Sequence, residues 1–309
     1  MTVIVELGQG GWLKPGRFRW LRALAFMALL AVLCILTFNL AADATLRLAA
    51  TLTGEPFTTR AAAAHGARLA AVTVGSLAML GAYALAVQLC ERRAATELNL
   101  RRAPGELALG IVIGGTIMAI IIGILWSGGW VVITASPITA VSESLKQTIQ
   151  SAVIEEVLLR IVIFRMLWRA FGVWPALIAT ALLFGGLHLS NPDASLFGAL
   201  CLVAGEGIGA GLYLLTGRIW MSIGMHAGWN FAQGWLFGSA VSGLDSFAGG
   251  PLQTHPAEGI ATLLSGGGFG PEASIAALIV SLAGSGLCLG LAWRKGRLGG
   301  NGITVTELR

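Results

Sequence analysis

Apolar runs of about 20 residues, separated by short polar or glycine-rich breaks, recur along the chain, and that is the length a helix needs to cross a bilayer. Inside hydrocarbon every backbone amide must be bonded within its own segment, so each run reads as a helix. The pattern predicts spans near residues 20–41, 67–90 and 107–133, then a helix with polar insertions near 141–168. Further spans are predicted near 174–189, 195–215, 220–237 and 274–293. The expected fold class is therefore all-α: a polytopic membrane protein of eight transmembrane helices, one integral membrane domain over 1–309. Residues 238–272, Gly-rich with Pro251, Pro256 and Pro271, read as an irregular extracytoplasmic loop.

Composition supports a bilayer as the solvent. More than half of the residues are apolar and few are charged, too few to cover the surface of a soluble chain of this size. The modest positive charge does not point to nucleic acid, because the basic residues sit at the ends of apolar runs. Lys14, Arg17 and Arg19 precede the first run, and Arg92, Arg93, Arg101 and Arg102 follow the second. Arg165 and Arg169 end the fourth, Arg218 follows the sixth, and Arg294, Lys295 and Arg297 follow the eighth. These are alternate loops, and they face the cytoplasm if both termini do. The opposite loops carry mainly Arg47 and Arg60. The first run is too long for a signal-peptide core and reads as the first span. Cys34, Cys90, Cys201 and Cys288 lie in or beside apolar runs without metal-ligand spacing and read as small buried residues. Glycine pairs four apart (Gly110/Gly114, Gly205/Gly209, Gly207/Gly211, Gly224/Gly228) encourage close helix contact without specifying partners.

Ionisable groups at membrane depth cost several kcal/mol each on insertion scales, roughly 2.5–3.5 at a helix centre, so each one needs an account. Glu156 and Arg160 are four apart on a helix and can offset each other's charge. Glu155 is turned about 100° away and has no partner in its own helix. An unpaired carboxylate in a low-dielectric site suits a general base. The competing reading pairs both glutamates with Arg160 and Arg165 near the cytoplasmic interface. His188 ends the fifth run, and His226 and Asn230 share one face of the seventh. Each could be an isolated polar contact. Together, Glu155, His188, His226 and Asn230 supply a base, a group to orient its water, and donors for a developing oxyanion. Glu206, between Gly205 and Gly207, reads as a structural hydrogen bond between close-packed helices.

The series Glu155-Glu156-x-x-x-Arg160, Phe184-x-x-x-His188 and His226-x-x-x-Asn230 resembles the CAAX-protease and bacteriocin-processing (ABI-domain) family of membrane endopeptidases, which includes the Ras-converting CAAX endopeptidase. The resemblance covers residues 142–238, with Thr216-Gly217 and Trp229-Asn230 similar to the bacterial branch. It implies that Glu155 is the base that activates water, with His188 holding that water. It implies an oxyanion hole of His226 and Asn230, a structural pair of Glu156 and Arg160, and a packing role for Phe184. It also implies a conical cavity open toward the cytoplasm, no required metal or other cofactor, and a peptide or protein substrate at the membrane. A bacterial inner membrane is the expected location.

Three other readings remain. Glu155, His188 and His226 could ligate zinc in a metalloprotease, although HExxH is absent. A serine mechanism lacks a serine placed beside a histidine motif, and a presenilin-type pair of intramembrane aspartates is excluded because Asp43, Asp193 and Asp245 read as lying in loops or at helix ends. A non-enzymatic scaffold or bacteriocin-immunity protein would not need all four polar groups.

Overall fold

The structure is a computed structural model that describes residues 5–54 and 57–298, so the outermost residues of the single-domain reading lie outside it. Six helices among the described residues are long and apolar enough to cross a membrane: Arg19–Thr53, His65–Glu91, Thr96–Ser127, Val173–Ser190, Leu196–Thr216 and Ile275–Arg294. The helices proper are α1 (Arg19–Thr53), α2 (His65–Ala86), α3 (Ala103–Ser127), α4 (Val141–Glu156) and α5 (Arg165–Phe171). They continue as α6 (Val173–Leu187), α7 (Leu196–Thr216), α8 (Trp220–Asn230), the short α9 (Thr262–Ser265) and α10 (Ile275–Arg294). Large apolar side chains such as Leu36, Leu40, Val112 and Ile279 point outward from the bundle, as lipid-facing residues do. At 1.5 Å per residue, α1 is about 50 Å long and exceeds the ~30 Å hydrocarbon core. The exposed Asp43–Arg60 ion pair, 2.6 Å apart, belongs to its polar end.

Two predicted runs differ in kind from the other six. α4 passes through a π-helical stretch, Val157–Phe164, into α5 without leaving helical backbone geometry, and this rod carries Glu155, Glu156, Arg160, Arg165 and Arg169. α8 is short and runs into a second π-helical stretch, Phe231–Leu236. π turns concentrate at functional sites because the extra residue re-aims the side chains that follow. Of the three π stretches among the described residues these two follow directly on the polar motifs, while the third, Val87–Glu91, ends α2.

Two expectations need correction. The third apolar run does not stay helical to residue 133: α3 ends at Ser127, and Val131–Ala135 forms strand β1. Gly128 and Gly129, the latter left-handed at φ 70°, stop the helix, and the β-branched Val131-Val132-Ile133 that follow suit a strand. The stretch 238–272 is likewise more than irregular loop, since it contains β2 (Leu252–Pro256) and α9. β1 and β2 pair antiparallel with Ile133 opposite Thr254, so a small ribbon interrupts an otherwise helical fold.

Glycine decides how α8 is held. Gly110 and Gly114 on α3 face the backbone of Met221, Gly224 and Met225, while Gly224 and Gly228 on α8 face the backbone of Leu107 and Ile111. A methyl group at any of the four would meet main-chain atoms of the partner helix, which cannot swing aside. Two of the four glycine pairs noted in the sequence are thus the two halves of one contact. Gly207 faces the side chains of Ser285 and Leu289 on α10, and Gly211 faces Cys288, including its backbone.

Side-chain hydrogen bonds define the two ends of the bundle. At one end Arg165 pairs with Glu91 at 2.6 Å, Arg93 with Glu97 at 2.8 Å, and Tyr83 bonds to Glu97. Arg218, between α7 and α8, pairs there with Glu106 of α3. At the other end Asn191 reaches the carbonyl of Ser242 at 2.9 Å, and Ser144 reaches that of Ala248 at 3.1 Å. The ribbon lies at this second end.

Candidate active site

Glu155 and Glu156 are neighbours in sequence but end in opposite surroundings. The Glu156 side chain is 2% exposed and that of Glu155 is 32% exposed, opening into a cavity of about 490 Å³. Glu156 accepts from Arg160 at 2.7 and 3.2 Å, as i and i+4 positions on one helix face allow. The pair is not self-contained. Glu206 of α7 also grips Arg160, through two hydrogen bonds, one of them 2.9 Å. One guanidinium therefore serves two buried carboxylates, a geometry that its planar fork of donors permits. Gly209 lies against the Arg160 guanidinium, and a side chain there would collide with it. Glu206 is the structural hydrogen bond the sequence suggested, and its partner is the motif arginine.

His226 stands between the two glutamates. Its Nδ1 is 3.1 Å from Glu156 Oε1, and its Nε2 is 3.7 Å from Glu155 Oε2. A carboxylate accepts only, so Nδ1 carries the proton toward Glu156 and Nε2 is left facing Glu155. The second histidine is fixed in the same sense. His188 Nδ1 donates to the carbonyl of Phe184 at 2.8 Å, one helical turn back, which turns its Nε2 away from the backbone. Phe184 sits edge-on to both imidazoles, with ring centroids 4.6 Å from His188 and 6.4 Å from His226. It spaces the two rings.

Asn230 donates to Ser151 Oγ at 3.0 Å, and Ser151 donates in turn to the carbonyl of Gln147. Ser151 and Glu155 are four apart on α4, and His226 and Asn230 are four apart on α8. The two helices thus meet through matched polar faces. An amide nitrogen has two hydrogens, so Asn230 keeps one beyond the bond to Ser151. Glu155 Oε2 is shielded from bulk solvent yet makes no hydrogen bond among the described residues. A buried carboxylate oxygen without a donor is costly, ~1–3 kcal/mol or more, and is retained where chemistry needs it.

The structure places Glu155, Glu156, Arg160, Phe184, His188, His226 and Asn230 around one cavity. Arg165 is committed to Glu91 and lies beyond reach of the motif glutamates' pairing, which removes the reading in which Arg160 and Arg165 neutralise both. Ser151 was missed, although its position one turn before Glu155 was a usable signal. Glu272 also lines the cavity, accepting from Ser242 and, at 3.1 Å, from Trp229 Nε1. Nothing in its local sequence pointed there, since only the return of the 238–272 segment brings it in.

Residues 137–232 match the family model described as type II CAAX prenyl endopeptidase Rce1-like. No curated protein and no solved structure matches the chain.

Proposed function

We propose that this chain, which the domain at 137–232 places in the CAAX-protease family, hydrolyses a peptide bond of a membrane-associated or lipidated polypeptide with water activated by Glu155. The observation that carries the reading is Glu155 Oε2, buried, without a hydrogen-bond donor, and flanked in one cavity by two imidazoles. Water held by Glu155 and His188 Nε2 gives its proton to Glu155 and attacks the scissile carbonyl carbon. The resulting oxyanion accepts from the free amide hydrogen of Asn230 and from Nε2–H of a doubly protonated His226. Glu155 then returns the proton to the departing amine as the C–N bond breaks.

Charge supports that state of His226. Arg160 neutralises only one of Glu156 and Glu206, so the buried cluster keeps one negative charge. An imidazolium hydrogen-bonded to Glu156 balances it. Donors aimed at a developing oxyanion in a water-poor site are each worth roughly 10²–10³ in rate.

The same reading takes α4–α5 and α8, with its π extension, as two further crossings, eight in all, both termini cytoplasmic, in a bacterial inner membrane. Charge neutralisation within α4 makes its crossing tolerable. The domain organisation is one membrane domain, with a catalytic core at 142–238 and an extracytoplasmic segment at 238–272.

The test is cleavage of a panel of lipidated and apolar fluorogenic peptides by the purified protein, alongside Glu155→Gln, with a chelator arm. Turnover lost in Glu155→Gln and untouched by chelator is the expected result. Turnover abolished by chelator and restored by metal replaces the reading with a zinc mechanism. Cleavage that survives Glu155→Gln removes Glu155 as the base.

A further inference from the structure

The floor and the lip of the cavity lie at opposite ends of the bundle. The floor is Arg160 with its two carboxylates, backed by Ile163 and Ile208, and the charged groups there are sealed to about 2–3% exposure. The lip is formed by Gln147 and Gln150 from the first half of α4, Asn191 between α6 and α7, and Ser242 and Leu244. These residues are half-buried or exposed, and Leu244 is 41% exposed. All belong to the ribbon end, where Asn191 bonds to Ser242. α6 packs on α5, the π stretch and α7, so it meets the motif rod beyond Glu156, at the floor, and not along α4.

The charges divide the same way. Arg92, Arg101, Arg102, Arg218 and the Arg294–Arg297 group stand at the floor end, with Arg17 and Arg19 at the start of α1. The lip end carries fewer, Arg47, Arg60, Arg68 and Lys146, of which Arg60 is paired with Asp43 and the last two with Glu143, and the segment 238–272 contains no Lys or Arg. Positive charge in short loops marks the cytoplasmic side. The cavity mouth thus lies at the end away from the cytoplasmic arginines, opposite to the cytoplasmic opening that the family resemblance implied.

We propose that the cavity is entered from the extracytoplasmic side, so that its substrates are anchored or translocated polypeptides presenting the scissile segment on that face, rather than cytoplasmic tails. This rests on the protease reading for the word substrate, but the placement of the mouth stands apart from it. The experiment uses the full chain with its four cysteines replaced by alanine and single cysteines returned by Leu244→Cys, Gln253→Cys or Arg101→Cys. Each is exposed to a membrane-impermeant maleimide in spheroplasts and in inside-out vesicles of an expressing bacterium. Leu244→Cys and Gln253→Cys label in spheroplasts and are protected in inside-out vesicles, while Arg101→Cys shows the reverse. Gln253 sits on the outer ribbon, so it reports even if Leu244→Cys fails to accumulate. Labelling of the lip from the cytoplasmic side, or from both sides, overturns the proposal. Repeating the labelling in Glu155→Gln separates the two readings, because the pattern persists there without any turnover. Two single-span reporters of opposite orientation complete the test, and cleavage of only the one with its site on the cytoplasmic side also overturns it.

Discussion

The two ends of the bundle both bury carboxylates, and they treat them differently. At the arginine-rich end the buried carboxylates Glu91 and Glu97 are both satisfied, by Arg165, Arg93 and Tyr83. At the cavity Glu156 and Glu206 share Arg160, Glu156 also accepts from His226, and Glu155 Oε2 is left without a donor. Burial by itself therefore does not distinguish structure from chemistry in this molecule. Completeness of pairing does. A finished network fixes helices to one another, whereas on the proposed reading a network one donor short holds the general base in place.

The sharpest test of that contrast replaces a carboxylate on each side of it. Glu155→Gln is expected to lower peptide cleavage by roughly 10²–10⁴, the usual weight of a general base, with thermal unfolding unchanged within error. Glu91→Ala should do the converse: loss of about 3–5 kcal/mol of stability from an uncompensated buried Arg165, read as a large drop in unfolding temperature in detergent. If Glu155→Gln unfolds the protein, or Glu91→Ala leaves its stability intact, the distinction between the ends fails. Asn230→Ala is expected to reduce kcat by ~10²–10³ with KM little changed, as loss of an oxyanion donor does, measured by steady-state cleavage. Gly114→Ala tests the scaffold beneath the site. Overpacking against α8 should cost ~1–3 kcal/mol and weaken activity only through displacement of His226 and Asn230. The smallest effect is Ser151→Ala, about 0.5–1.5 kcal/mol for one hydrogen bond, with a few-fold fall in kcat as Asn230 loses its anchor.

Much of the site was readable because its residues violate the local rule. A glutamate, two histidines and an asparagine inside apolar runs stand out against a composition that otherwise avoids them, and helical spacing assigns Glu156 rather than Glu155 to Arg160. The third member of that ion cluster was not readable. Glu206 is 46 residues from Arg160, and only the packing of α7 on the motif helix, with Gly209 leaving room for the guanidinium, brings them together. Glu272 is hidden for the same reason, lying 43 residues from the Trp229 that binds it.

Apolar periodicity determined that the chain is helical and membrane-borne, since a bilayer admits few alternatives and hydropathy reads them directly. It misread 131–135, because a short run of valine and isoleucine suits a strand as well as a helix, and only pairing with residues 252–256 decides between them. Glycine spacing showed that helices could approach closely, but not that Gly110 and Gly114 would face Gly224 and Gly228, which depends on the rotation of both helices. Charge along the chain sorted its loops into two sets. Which set lines the mouth of the cavity was decided by tertiary structure alone, because a mouth is a property of how far helices diverge, and no single segment carries that information.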